Sequence, residues 1–370
     1  MLATDNRKYI QDVHLKTAEE FLRSISYGGR YYNKFGRNFI FRGQSSDSYE
    51  LLPTALRRYM YDEVYPNSYN DKQHVLMAVS EYAQIESEAH QLFDFYKMCD
   101  ESQLYVPEET RFRESFLLPI DFNIAFTPEW WIAKEYQELA ALAQHHGVPT
   151  RLLDWTTNIN VAVYFASSSV IRKKATPEKK TLSEWSKDMQ SQFMKFCESS
   201  KTKGLSEEEQ NMELWALDIS VLFADRKDVI PLEIVRPRYF DNDNLAAQKG
   251  LFTCWQVKKP LKKNKDGQTI PDFSILTNRD PLDKQIAVFL EEHNVKKKTY
   301  IYHFTIPHNT AVELYEYAKR NRCDASYLFP GYGGVARCIE EDGYVKYIKA
   351  EKGKDNIRTG VIPETESYVK

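Results

Sequence analysis

The sequence predicts an α+β fold: a small mixed sheet flanked by helices, with a charged helical insertion. Three observations carry this. Apolar residues recur at helical spacing through much of the first 146 residues, two later segments alternate apolar and polar residues as half-buried strands do, and a charged stretch with few apolar anchors separates the two regions. At 370 residues with 42% hydrophobic composition the chain can bury a sizeable core. The reading is one domain over residues 1–350, with a helical N-terminal part (1–37), a surface insertion (172–211) and a tail (351–370).

Leu15 to Ile25 has helical periodicity, and Gly28-Gly29 ends it. NFIFRG, Asn38 to Gly43, follows as a short strand of aromatic and branched residues that stops at a glycine. Asp71 to Met98 reads as a long helix, and Thr127 to His146 as another. Arg151 to Trp155 is a short buried strand leading into an apolar core helix, Asn158 to Ser168, with Thr156, Thr157 and Asn158 as candidate caps. Arg172 to Asn211 is charged throughout, with Leu182, Trp185, Phe193 and Met194 its main apolar anchors, which predicts a partly helical surface insertion. Strands resume at Met212 to Ile219 and Thr299 to Pro307. Lys258 to Gln268 is basic and carries an Asp-Gly turn, the pattern of a solvated hairpin tip, a polyanion contact being the alternative. Asn309 to Arg322 is an amphipathic helix, after which a Pro-Gly turn precedes a short closing helix.

A formal net charge of −3 and a pI near 6.3 give no global basic field for nucleic acid or anionic membrane. No run of about 18 apolar residues appears, and MLATDNRKYI lacks the apolar centre of a signal peptide. The five cysteines are scattered, without a C-x-x-C pair to seed a zinc or redox site. A soluble cytoplasmic protein with reduced thiols, no bound metal and no required cofactor is the expectation.

The chemistry-bearing residues are concentrated in two places. In FRG, Arg42 ends a strand, where its planar fork suits a phosphate or carboxylate and Gly43 lets backbone or ligand approach closely. An Arg-Gly pair at a strand end is equally at home as plain surface. In QHHGVPTRLLDWTTNINVAVYFA, His145 and His146 lie about 100° apart on a helix and cannot share a metal. Gly147 makes them a helix C-terminus, where protonated imidazoles would offset the dipole. Arg151 and Asp154, three apart on a strand, point to opposite faces. Asp154 arrives just before a helix N-terminus, a ready place for an anion, and is open to two readings, cap or site residue.

FRG at Phe41 to Gly43, LAQHHGVPTRLLDWTTNINVAVYFA at Leu142 to Ala166, AAQKGLFT at Ala246 to Thr253 and YLFPGYGG at Tyr327 to Gly334 together resemble the FRG-domain family, a largely bacterial and phage-associated group. The HHGxPTRLLDWT string is far more specific than FRG. Relative to that pattern, the stretch from Arg172 to Asn211 looks like an insertion. The order of an arginine at a strand end, a threonine-rich strand-to-helix junction and a later Gln or Glu is similar to the three-part NAD site of ADP-ribosyltransferases. The resemblance therefore implies an ADP-ribosyltransferase-like core, with Arg42, Thr156 and Gln248 in the three roles, NAD as substrate and a place in phage defence or a toxin system. Gln248 departs from the pattern, since an amide cannot stabilise an oxocarbenium ion by charge.

The candidate catalytic residues are then Arg42, His146, Asp154 and Gln248. The candidate ligand-binding residues are Arg42, Gly43, Arg151 and Thr156. Three functions remain open: nucleotide-dependent transfer to a nucleic-acid or protein acceptor, a non-catalytic module that binds a nucleotide or a protein, and a polar network that only fixes the core.

Overall fold

The computed structural model describes residues 8–57, 77–107, 129–175, 211–225, 228–240, 242–296 and 298–358. In chain order these form β1 (Ile10–His14), α1 (Ala18–Ile25), β2 (Phe39–Gln44), α2 (Glu81–Glu101), β3 (Trp130–Trp131), α3 (Gln137–His145), β4 (Leu152–Thr156) and α4 (Ile159–Ala175). There follow β5 (Asn211–Asp218), β6 (Leu232–Val235), α5 (Asp243–Ala247), β7 (Gly250–Trp255), β8 (Val257–Lys258), β9 (Leu261–Lys263) and β10 (Thr269–Pro271). The chain closes with α6 (Leu282–Glu292), β11 (Ile301–Pro307), α7 (Ala311–Arg320), α8 (Ala325–Leu328) and α9 (Tyr332–Arg358).

The α+β class holds, and the sheet is larger than expected. Seven strands run in the order β1-β11-β5-β2-β4-β7-β6, with β1 and β11 parallel and every other pair antiparallel. Period-2 alternation sends side chains to two faces. Phe39, Phe41, Leu214, Ala216, Tyr302 and Phe304 face one way, onto α1, α4, α7 and α9. Ile40, Leu153, Trp155, Trp215, Leu217 and Ile301 face the other, where Ile286 and Leu290 of α6 cover them. A third cluster joins α2 and α3 to Leu152, Phe252 and Cys254 at the β4–β7 end. Much of the aromatic content sits in the first core, where Tyr31 meets Phe304 edge-on at 5.1 Å.

Several boundaries differ from the sequence reading. The predicted helix from Thr127 begins instead with β3 and a 3₁₀ turn, so helix starts only at Gln137; residues 127–128 lie outside the described residues. In the long second helix, Ser80 caps Ala83 N–H through its side chain and α2 begins at Glu81, with residues 71–76 outside the described set. Arg172 to Ala175, placed in the insertion, extend α4, and residues 176–210 lie outside the described residues. Far from short, the closing helix α9 runs 27 residues, through Arg358 and past Ala350. Lys258 to Gln268 does form a hairpin, with β9 paired to β10 and Gly267 at φ 78° in the turn.

What positions the cleft is a split in the sheet. β2 pairs with β5 over six residues, yet with β4 through a single pair, Phe41 opposite Thr156. Beyond that pair the two strands separate, and residues 42–44 and 154–155 line the two sides of the gap.

Candidate functional site

A cavity of about 390 Å³ fills the gap between β2 and β4 and is lined by Arg42, Gly43, Gln44, Tyr49, Arg57, Asp154, Trp155, Thr156, Phe165 and Gln248, among others. Five of the sequence-predicted residues therefore share one cleft: Arg42, Gly43, Asp154, Thr156 and Gln248. They come from β2, β4 and the end of α5, three elements that only tertiary folding brings together.

Arg42 reaches across the gap. Its Nη1 donates to the Asp154 carbonyl at 2.9 Å and faces Asp154 Oδ2 at 3.4 Å, while Nε donates to Gln44 Oε1 at 3.1 Å. Burial lowers the Arg42 pKa, Asp154 opposes that, and the nearby positive charge of Arg57 lowers it further. The guanidinium stays cationic and close to a second guanidinium. Asp154 is mostly exposed; its Oδ1 accepts from Gln144 Nε2 at 2.8 Å, and Gln144 in turn accepts from the Thr150 hydroxyl. Asp154 is thus fixed by side chains rather than serving as a helix cap. The cap role falls to Asn158, whose Oδ1 accepts from Asn160 N–H at 3.1 Å.

Gly43 does admit a close approach, and what approaches is backbone. A Cβ built there would lie 1.9 Å from the Ala162 carbonyl oxygen of α4. The glycine lets α4 lie flat on β2, which brings Phe165 and Ser169 to the cleft wall. Thr156 is buried, its hydroxyl donating to Gln248 O at 2.7 Å and accepting from Asn158 N–H at 3.0 Å. Gln248 Nε2 donates to Leu328 O at 3.1 Å, tying the AAQKG and YLFPG segments beside the strand-to-helix junction. Lys249, at φ 47°, takes the left-handed turn between α5 and β7, and its carbonyl accepts from Thr157 N–H.

Two sequence-predicted residues lie elsewhere. Arg151 is 3% exposed beneath the sheet, donating through Nε and Nη2 to both oxygens of Glu88 at 2.8 Å each, with Glu81 Oε1 2.9 Å from Nη2. Burial works against its charge, and the two carboxylates outweigh that and raise its pKa. It holds α2 to the sheet and does not line the cleft. Arg151 points away from Asp154, as the strand period predicts. His146 ends α3 and stacks near Phe95 at 6.4 Å; it lines a separate groove of about 600 Å³ with Cys99, Leu104 and Tyr105. Gly147, at φ 93°, terminates the helix as expected. Burial lowers the His145 pKa, as does the neighbouring His146, with Asp154 acting the other way.

Sequence reasoning missed Arg57, Tyr49 and Lys173. Arg57 is held through Nε by the Leu52 carbonyl at 3.0 Å, and its terminal nitrogens carry no hydrogen bond among the described residues. Lys173 donates to Tyr49 OH at 2.8 Å and Ser45 Oγ at 3.1 Å, and the bond to Tyr49 lowers that phenol's pKa. Arg57 carries no local motif, and Lys173 sits in a lysine-rich run that reads as solvated surface. Among the described residues no helix is long and apolar enough to cross a membrane.

Comparison with known proteins returns no match among curated proteins or solved structures. The FRG domain family model matches residues 120–175. That match spans Gln144, Asp154, Thr156 and the whole of α4, one side of the cleft, while the FRG tripeptide, outside the match, supplies the other. Over residues 120–175 the chain is similar to the FRG domain.

Proposed function

We propose that the cleft binds a nucleotide with a pyrophosphate group, NAD being the leading candidate. The observation that carries this is the charge balance of the lining. Arg42 and Arg57 face a cavity whose lining holds one carboxylate, Asp154, and whose walls include Tyr49, Trp155 and Phe165. Two guanidinium forks suit two phosphate groups, aromatic rings offer a face to a base or a nicotinamide, and an exposed carboxylate can accept from ribose hydroxyls. The volume falls in the range of small-molecule sites.

If the cleft is catalytic, ADP-ribosyl transfer is the chemistry this set of residues supports. Loss of nicotinamide depends mainly on positioning and on stabilising charge at the ribose. Asp154, rather than Gln248, is the lining carboxylate available for that. A specific observation favours a second reading, binding without chemistry: the Thr156 hydroxyl and the Gln248 amide N–H are both committed to backbone carbonyls. Turnover of NAD would suit the phage-defence or toxin role that the family resemblance implies, and binding alone would suit a nucleotide sensor.

Calorimetric titration with NAD and with ADP tests the reading. Arg42→Lys keeps the charge and loses the fork, so affinity should fall about tenfold with little change in Tm. Release of free nicotinamide separates enzyme from binder. If the parent binds neither nucleotide and Arg42→Lys lowers Tm by several degrees, the Arg42 contacts are a structural network only.

A further inference from the structure

Behind Arg42 a chain of buried polar side chains crosses the sheet. Gln44 Nε2 donates to Glu213 Oε2 at 3.1 Å and to the Tyr49 carbonyl at 2.9 Å. The Trp215 indole N–H also donates to Glu213 Oε2, at 3.2 Å. Glu213 Oε1 lies 2.7 Å from His303 Nε2, and His303 Nδ1 lies 3.1 Å from Asp12 Oδ1. The imidazole stacks on Trp215 with centroids 3.9 Å apart. Glu213 is 3% exposed, Gln44 5% and His303 7%, so three polar groups are buried on the sheet face that otherwise carries Ile40 and Leu217. Apolar residues of similar size would fill that space without the cost of desolvating a carboxylate.

The geometry of the amide shows what the chain accomplishes. Both acceptors near Gln44, the Glu213 carboxylate and the Tyr49 carbonyl, demand its NH₂ group, which leaves Oε1 facing the other way. That oxygen accepts from Arg42 Nε. With Nε held there and Nη1 held by the Asp154 carbonyl, the plane of the guanidinium is fixed and Nη2 carries no hydrogen bond among the described residues. An amide turned by 180° would place its NH₂ against Arg42 Nε–H and force the fork out of that plane.

We propose that Glu213, anchored by His303, is a positioning residue for Arg42, acting through the amide of Gln44 to set the guanidinium plane that meets an anionic ligand. The proposal rests on the nucleotide reading of the cleft only for its affinity measurement. Its structural consequence can be checked without ligand.

Two experiments test it, with ADP as the probe. In a ligand-free crystal structure of the Glu213→Met protein, the Gln44 amide, left with the Tyr49 carbonyl as its one remaining acceptor, should shift, and Arg42 should leave the Asp154 carbonyl; an Arg42 placed as in the parent would overturn the proposal. Should Glu213→Met fail to fold, Gln44→Met reads the position of Arg42 alone, because it removes the amide through which Glu213 would act; an Arg42 placed as in the parent there would likewise overturn the proposal. In calorimetry, Glu213→Met or Gln44→Met should weaken ADP binding about tenfold in the parent and have almost no effect in an Arg42→Lys background. Losses that simply add would show that Glu213 acts on stability and not through Arg42. If ADP does not bind the parent, the nucleotide reading fails, and the position of Arg42 in the variant structure still decides the positioning role.

Discussion

Gly43 shows at a single residue how the FRG tripeptide combines packing with chemistry. Its missing side chain is filled by the Ala162 carbonyl of α4, so a ligand cannot be what the glycine admits. Gly43→Ala should force the helix off the strand and destabilise the protein by about 3 kcal/mol, read from denaturant unfolding. An unchanged unfolding midpoint would mean that α4 does not press on β2. Arg42, one residue earlier, meets different demands, since its contacts are to Asp154 and Gln44 and its surroundings are a cavity. The tripeptide is legible in sequence as a strand end with an arginine. Which neighbour needs the glycine is not legible, because Ala162 lies far along the chain and reaches Gly43 only through the fold.

At the scale of elements, Arg151 and Asp154 share one segment and part company by the period of the strand. That divergence was readable from their spacing; the destination of Arg151 was not. Its partners, Glu81 and Glu88, lie on a helix whose buried face is unusually polar, with Gln84 and Ser87 also buried. Hydrophobic periodicity cannot reveal such a face. Arg151→Met should cost about 3–5 kcal/mol of stability, because two buried carboxylates lose their cation. Replacing Glu81 and Glu88 as well should recover much of that loss. Nucleotide affinity of the folded Arg151→Met protein should match the parent, and a selective loss of binding at unchanged stability would return Arg151 to the site. The strands differ in legibility for a related reason. β11 alternates clearly, whereas β5, expected half-buried, runs apolar from Leu214 to Leu217 because both of its faces are covered, and β1 and β6 at the sheet edges and β7 inside a motif gave no separate signal.

For the whole molecule, the four segments that carry the family resemblance are far apart in sequence and meet around one gap in the sheet. Phe41 to Gly43 forms one side of it and Asp154 to Thr156 the other. Gln248 joins them from the end of α5, and the Leu328 carbonyl holds Gln248 in place. The order of these segments was readable, and Arg42, Thr156 and Gln248, named from the resemblance, do line one cavity. The second guanidinium was not readable, because Arg57 belongs to no motif and becomes part of the cleft only where the chain after β2 passes the split. Both arginines facing one cavity is the central claim, and a crystal structure of the full chain soaked with ADP tests it most directly. The account predicts phosphate oxygens within hydrogen-bond distance of Arg42 and Arg57, with the base against Tyr49, Trp155 or Phe165. ADP seated in the groove beside Phe95 and His146, with Arg42 still closed onto Asp154, would contradict it.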